Sequence, residues 1–371
     1  MSLGKMESSF TPQELLHYGR QINLTELGLA GQQLLKKARV LCVGVGGLGS
    51  SALYYLTAAG VGNVAIIDDD IVEISNLQRQ ILFTYDDIAK PKVFAAETRL
   101  QQINPAVKII PHFLRLSAEN VLSLFADYDI ILDGSDNFAT RYLVNDACVH
   151  LRKPHVYASI AQFKGQCSVL TTKQGPCFRC LFAIPPPANL VLNCADAGVL
   201  GVLPGIMGSI QATETLKLIL NIGQSLIGRI LFFDALTMQF SEWQITPNPE
   251  CIACQKREPF HQLPRKMTMC AHHAMEITLA EFRELKQQDF FLLDVREPDE
   301  YAQCNMGATL IPLSELKYRL TELPNDQLII IHCKSGRRSL QAAQILLGMG
   351  NGFNKVKSLQ GGITAWLETC K

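Results

Sequence analysis

From residue 39 onward, short apolar runs alternate with amphipathic stretches. Residues 39–43 read as a buried strand, 50–59 as a helix, 64–67 as a second strand, and 92–104 as a helix stopped by Pro105. Residues 130–132 and 156–159 read as further buried strands, separated by a helical stretch over 139–152. Strands and helices alternating at this spacing predict βαβ units and a parallel sheet. Beyond Gly165 the order changes to a strand, a loop through Pro185, Pro186 and Pro187, a helix near 208–220, and strands around Leu231 and Phe240. That half reads as antiparallel. Between about 255 and 274 the chain turns polar and irregular, with Pro259, Pro264, Lys256, Arg257, Arg265, Lys266 and three histidines, as a linker would. A shorter α/β pattern follows, with strands at 290–293 and 328–331 and a helix at 339–347. The expected organisation is a large α/β domain over 10–255, a linker over 256–274 and a small α/β domain over 275–371.

Length agrees with this division, since 371 residues at about 150 per domain make two domains. Lys+Arg and Asp+Glu both number 34, so there is no global basic footprint for direct nucleic-acid binding or an anionic membrane. With 48% hydrophobic and 18% charged residues, most of the chain can bury a core and is not disordered. The longest apolar stretch, 199–210, contains Pro204 and falls far short of the ~20 residues a bilayer span requires. No long apolar segment follows Lys5, so no signal peptide is expected and the anticipated location is cytoplasmic. Twelve cysteines in such a compartment serve metal or chemistry rather than a disulfide framework.

Gly44-Val45-Gly46-Gly47-Leu48-Gly49 follows the first strand and opens a helix, and Asp68 closes the next strand 19 residues after Gly49. Glycines let backbone N–H groups approach phosphates at a helix N-terminus, and a carboxylate at that offset can bind ribose hydroxyls. A dehydrogenase is the usual inference, but Ser75, Asn76, Arg79 and Gln80, with Lys92 downstream, argue for ATP. Two cations and several amides suit a triphosphate attacked at its α-phosphate, and hydride transfer has no need of them. In Leu132-Asp133-Gly134-Ser135-Asp136-Asn137 a strand ends in a carboxylate facing the crevice, a natural place for magnesium. Cys177, Cys180, Cys251 and Cys254 form two Cys-x-x-Cys knuckles, and four thiolates make a closed tetrahedral site suited to structural zinc.

Residues 39–62 and 75–80, the Asp136-Asn137 pair and the knuckles together resemble the ubiquitin-activating-enzyme-like adenylyltransferases of molybdopterin and thiamine biosynthesis, over about residues 15–254. The resemblance implies a Rossmann-like domain that adenylates the C-terminal Gly-Gly carboxylate of a small ubiquitin-like sulfur carrier protein. It implies an ATP site lined by Gly47, Asp68, Asn76, Arg79, Lys92 and Asp136, with magnesium on Asp136 and zinc on the four cysteines. Arg20, in Tyr18-Gly19-Arg20-Gln21-Ile22, matches an arginine the family reaches across a homodimer interface toward the phosphates. For Cys194, in a loop after the proline run, it implies a thioester or disulfide role. The residues alone leave an inert loop cysteine open as well.

His332-Cys333-Lys334-Ser335-Gly336-Arg337-Arg338 follows a buried strand and precedes a helix. A cysteine there is surrounded by backbone N–H groups, a helix N-terminus and arginines, all of which favour thiolate. At an ordinary pKa near 8.5 only about 3% would be thiolate at pH 7, so this environment matters. With Asp294-Val295-Arg296-Glu297 upstream and 360–366 at the end, residues 277–366 resemble a single rhodanese domain. Cys333 and Arg338 would then be its functional pair. The six-residue cradle is one residue shorter than in related phosphatases and should fit a sulfane sulfur better. Cys304 stands where rhodaneses usually carry histidine.

The preferred reading is an ATP-dependent activator fused to a sulfur donor: one half makes an acyl-adenylate, and the other carries a persulfide on Cys333 supplied by a cysteine desulfurase or thiosulfate. An oxidoreductase with a regulatory rhodanese-like module, and a zinc-stabilised nucleotide sensor that only binds a ubiquitin-like partner, remain open from sequence.

Overall fold

The computed structural model describes residues 10–170, 175–183, 198–264, 275–285, 289–324, 326–348, 353 and 355–368. These fall into two units, 10–264 and 275–368.

The first unit opens with helices α1 (Pro12–Ile22) and α2 (Gly28–Lys37), which precede the strand-and-helix pattern that starts at residue 39. Helix α1 starts at a capping box: the Thr11 hydroxyl accepts from the Glu14 amide, the Glu14 carboxylate accepts from the Thr11 amide, and Pro12 occupies the first helical turn. There follow β1 (Arg39–Val43), α3 (Gly47–Ala58), β2 (Asn63–Ile67), α4 (Lys92–Ile103), β3 (Lys108–His112), α5 (Val121–Ala126), β4 (Ile130–Asp133), α6 (Phe138–Leu151) and β5 (His155–Ala161). Then come β6 (Lys164–Leu170), the short α7 (Phe178–Leu181), α8 (Leu203–Leu220), β7 (Arg229–Asp234) and β8 (Gln239–Gln244).

The strands form one sheet in the order β3-β2-β1-β4-β5-β6-β7-β8. Pairing is parallel from β3 to β5 and antiparallel from β5 to β8, as the change of pattern at Gly165 predicts. Alternate residues of the central strands feed opposite faces. Val40, Cys42, Val64 and Ile66 pack with α3, α4 and α8 on one side, while Leu41, Val43, Ala65 and Ile67 pack with α5 and α6 on the other. Burial on both faces explains why these strands read as continuous apolar runs. The chain reverses its direction of travel across the sheet at β1 and β4, so a crevice opens beyond their C-terminal ends.

Four local differences from the sequence pattern have physical causes. Helix α3 begins at Gly47, because the glycines at its start are already helical, and α8 begins at Leu203 with Pro204 in its first turn. Strand β3 contains Pro111, which masks it in sequence, yet it lies at the sheet edge where a missing N–H is tolerated. Part of the expected linker packs on the first unit: Phe260 and Leu263 are buried, and the Pro264 carbonyl accepts a hydrogen bond from Arg179.

The second unit contains β9 (Glu276–Ile277), α9 (Leu279–Glu284), β10 (Phe290–Asp294), α10 (Pro298–Gln303), β11 (Thr309–Leu310), β12 (Leu328–His332), α11 (Arg337–Gly348), β13 (Val356–Leu359) and α12 (Gly362–Glu368). Its strands form a parallel sheet in the order β11-β10-β12-β13-β9, so the loop carrying Cys333 leaves the central strand. The whole is α/β, a Rossmann-like sheet followed by a smaller α/β unit.

Candidate active site

The crevice of the first unit encloses about 340 Å³. Gly44, Gly46, Gly47, Asp68, Arg79, Gln80, Lys92, Asp136 and Asn137 all line it, so nine of the sequence-derived positions converge. Gly44 turns at φ +86, and a Cβ there would meet the Gly134 carbonyl oxygen at 2.9 Å. Gly49 does not line the crevice; a Cβ on it would lie 2.2 Å from the Gly44 carbonyl oxygen, so its role is to let α3 approach β1. Gly46 caps α3 without any side-chain hydrogen bond, which leaves the first-turn amides available to an anion.

Both Asp68 carboxylate oxygens accept backbone amides, Oδ2 from Val45 at 2.7 Å and Oδ1 from Asp70 at 2.9 Å. Burial pushes this carboxyl up, against the pull of Lys92 and of those two amides. Lys92 is buried at the start of α4, and its Nζ lies 2.8 Å from the exposed Asp70 carboxylate. Arg79 donates to the Ser75 carbonyl at 3.0 Å, and the Asn76 side chain accepts from the Glu73 amide at 3.2 Å. Ser75 and Asn76 therefore shape the turn that presents Arg79 and do not line the crevice themselves. Asn137 caps α6 by accepting from the Thr140 amide. Asp136 beside it is exposed and meets only the Asn137 amide, at 3.5 Å, among the described residues.

Sequence reasoning missed the support behind this wall. Asp133 is fully buried and accepts from the Ser135 hydroxyl and amide, and its Oδ2 lies 3.0 Å from His155 Nε2. Burial acts to raise this carboxyl, but hydrogen bonding to His155, with Arg141 and Ser135 adding, leaves it below the ordinary carboxylate value. Arg141 lines the crevice, donates to the Ser135 carbonyl at 3.0 Å and stacks over Phe138 and Tyr157. Together these groups fix the Gly134–Asp136 turn. Arg20 lies exposed on α1 and does not line this crevice. Cys194 lies outside the described residues.

Cys177, Cys180, Cys251 and Cys254 place their sulfurs within 4.8 Å of one another, with closest separations of 3.4, 3.6 and 3.9 Å. Zinc–thiolate bonds of about 2.3 Å in a tetrahedron set sulfurs roughly 3.8 Å apart, so the donor set fits zinc. The knuckle is anchored by Arg179, which lies between its two cysteines and pairs with the buried Asp146 at 2.7 and 2.9 Å. Replacing Cys251 with Ser should lower bound zinc and melting temperature together; an unchanged melting temperature in a zinc-free variant would refute a structural metal. Three other described thiols, Cys42, Cys148 and Cys167, are pushed up by burial and are poor nucleophiles.

In the second unit Cys333 is buried at the end of β12, and its sulfur accepts from the Gly336 amide at 3.2 Å and the Ser339 hydroxyl at 3.6 Å. Gly336 turns at φ +91, and a Cβ on Gly362 would meet the Cys333 carbonyl oxygen at 2.3 Å, so bare backbone closes the cradle. Arg338 makes a two-pronged ion pair with Glu300 at 2.6 and 2.7 Å, and Arg296 makes one with Asp294. Arg338's hydrogen bonds hold the Glu300 carboxyl down at about 2. His332 lies buried 3.7 Å from Asp294, and its burial pushes its pKa down. The side chain of Cys304 is half-buried, and its carbonyl accepts from Arg296.

A glycine-walled nucleotide crevice, a four-thiol metal knuckle and a cysteine-centred cradle define a chain that couples a nucleotide-using domain to a sulfur-handling one. Residues 18–253 match the ThiF family and 278–369 the rhodanese-like domain; the chain belongs to the ThiF family and carries a C-terminal rhodanese-like domain. It is 40% identical to the probable adenylyltransferase/sulfurtransferase MoeZ of Mycobacterium tuberculosis, over 97% of this chain and 95% of that protein. It is 38% identical to the adenylyltransferase and sulfurtransferase MOCS3 of Anopheles gambiae, over 96% of this chain and 87% of that one. A sulfur carrier protein adenylyltransferase of Thermus thermophilus is 48% identical over 66% of this chain and 92% of its own length. The crystal structure of E. coli MccB shares the fold, with a TM-score of 0.58 at 20% identity over 67% of this chain and 74% of that one. Among the described residues no helix is long and apolar enough to cross a membrane.

Proposed function

We propose that residues 10–255 adenylate the C-terminal glycine of a small ubiquitin-like sulfur carrier protein, and that residues 275–371 deliver sulfur to it as a persulfide on Cys333. The observation that carries this reading is the pairing, in one chain, of a phosphate-ready crevice with a cysteine cradled by amide and hydroxyl donors. ATP's phosphates would meet the α3 amides, Arg79 and Lys92, and its ribose Asp68. Asp136, exposed and nearly unengaged, would hold magnesium, which supplies charge neutralisation at the phosphates. The carrier carboxylate attacks the α-phosphate, pyrophosphate leaves, and the terminal sulfur of the Cys333 persulfide displaces AMP from the acyl carbon. Attack by a second thiol on the inner sulfur of Cys333 then releases the thiocarboxylate and leaves a disulfide; Cys194 is the candidate. The four cysteines would hold zinc as a structural clasp. The sulfur reaches Cys333 from a cysteine desulfurase or from thiosulfate, in the cytoplasm.

Incubating the protein with ATP, a carrier ending in Gly-Gly and a sulfur donor should add the mass of a sulfur-for-oxygen exchange to the carrier. Carrier-dependent pyrophosphate exchange separates this reading from a nucleotide sensor, and its absence would refute the enzyme. Arg20, remote from its own crevice, would complete the site of a second subunit in a homodimer. Mixing Arg20→Ala with Asp136→Asn subunits should restore about a quarter of wild-type exchange on random pairing; no recovery despite verified mixing would overturn the shared site.

A further inference from the structure

Behind the sulfur cradle lies a second hydroxyl. Ser358 is fully buried on β13, paired with Ile331 of β12, and a buried hydroxyl costs free energy unless it is hydrogen-bonded. Its partners among the described residues are both cradle atoms, the Ser339 hydroxyl at 2.8 Å and the Gly336 carbonyl at 3.4 Å. Ser339, also fully buried, has one hydroxyl proton and three acceptors within reach: the Cys333 sulfur at 3.6 Å, the Gly336 carbonyl at 3.0 Å and the Ser358 oxygen at 2.8 Å. The Gly336 carbonyl does not depend on that proton, since it already accepts from the Leu340 amide at 3.2 Å. Ser358 sets where it goes. When Ser358 donates to the Gly336 carbonyl, its oxygen is open to the Ser339 proton and draws it away from sulfur. When Ser358 donates to the Ser339 oxygen, the Ser339 proton is released toward sulfur. A negative sulfur favours the second arrangement, because each hydrogen bond in such a chain polarises the next.

We infer that Ser358 is a positioning residue for sulfur transfer: through Ser339 it aims a hydroxyl proton at the Cys333 sulfur as charge builds there. This rests on the reading of Cys333 as the sulfur carrier. Cys333 acts as a thiolate when it is loaded and becomes one again when an acceptor takes its outer sulfur. With cyanide as acceptor, the cyanide carbon attacks the outer sulfur, the carbon–sulfur bond forms as the sulfur–sulfur bond breaks, thiocyanate departs, and the electron pair stays on Cys333. No proton leaves either serine, and no further oxidant or reductant is consumed. A donor aimed at the inner sulfur does little for the persulfide and much for the departing thiolate, so its effect falls on the transition state.

The test is a double-mutant cycle on one step. The full chain is loaded with thiosulfate, freed of excess donor and checked by intact mass for one added sulfur; cyanide is then added and thiocyanate followed through a single turnover. The exposed Lys334 and the Gly336 amide are common to every variant, so differences report the two hydroxyls. Ser339→Ala should slow the step about tenfold and Ser358→Ala about fivefold, the scale of a hydrogen bond to a charged group and of its polarising neighbour. Because Ser358 acts through Ser339, the double variant should match Ser339→Ala within about twofold, whereas independent effects would multiply to about fiftyfold. Ser358→Thr, which keeps the hydroxyl, should stay within about twofold of wild type. If Ser358→Ala is not recovered folded, Ser358→Gly carries the same expectation. A wild-type rate in the hydroxyl-free variant, or multiplying effects in the double variant, overturns the assignment, since Ser358 would then merely fill its place on β13. Wild-type protein that never acquires a reducible sulfur on Cys333 overturns instead the reading on which it rests.

Discussion

Cys333→Ala is expected to cut the reaction in the middle. Adenylation draws on groups of the first unit, so this variant should release pyrophosphate at near wild-type rate and accumulate AMP-capped carrier. Sulfur delivery needs a sulfur seated against the Gly336 amide and the Ser339 hydroxyl, so thiocarboxylate should fall at least a hundredfold and thiosulfate sulfurtransferase activity should vanish. The variant removes the thiol that the cradle donors hold, and the first unit's Cys42, Cys148 and Cys167 are buried with raised pKa values. Intact mass reads the step directly. Thiosulfate should add one reducible sulfur atom to wild type, and none at this position in the variant. Thiocarboxylated carrier formed by Cys333→Ala at wild-type rate, with a donor other than free sulfide, would show that the fused domain is not the donor. Cys194→Ala should behave differently, keeping persulfide formation on Cys333.

The second large effect lies in the crevice. Lys92→Ala should reduce carrier-dependent ATP–pyrophosphate exchange by two to three orders of magnitude, the usual scale for losing one preorganised group that stabilises transition-state charge. Lys92 is buried, so it reaches the crevice already desolvated and oriented, with Asp70 as its partner at 2.8 Å. Asp136→Asn should do the same by another route, since among the described residues its exposed carboxylate meets only the Asn137 side chain and the fold should be undisturbed. Circular dichroism checks the fold, and exchange at near wild-type rate in Asp136→Asn would remove the magnesium assignment.

The parts legible in sequence are those whose cause is local. The Gly44–Gly49 turn, the Asp68 offset, the two knuckles and the Cys333 loop each carry their signal within a few residues. Arg179 and Asp146, 33 positions apart, form a buried ion pair, and no periodicity announces such a contact. The same holds for Asp133 with His155 and for Arg338 with Glu300, which meet because strands and helices distant in sequence are brought side by side. Arg338 shows the consequence. Its position in the cradle is readable from the sequence, but its engagement by a carboxylate is a tertiary fact. Helix α1 was readable, since Thr11-Pro12-Gln13-Glu14 is a capping box and the segment behind it is strongly amphipathic.

The glycines that wall the nucleotide crevice and seat α3 behind it also bear on how the protein can change. A Cβ on Gly44 would strike the Gly134 carbonyl oxygen, a Cβ on Gly134 would strike that of Gly44, and a Cβ on Gly49 would strike the same Gly44 oxygen. Each obstacle is main chain, so no neighbouring side chain can be trimmed to relieve it. Defects at these three positions therefore lack the usual route to second-site suppression by trimming a neighbouring side chain.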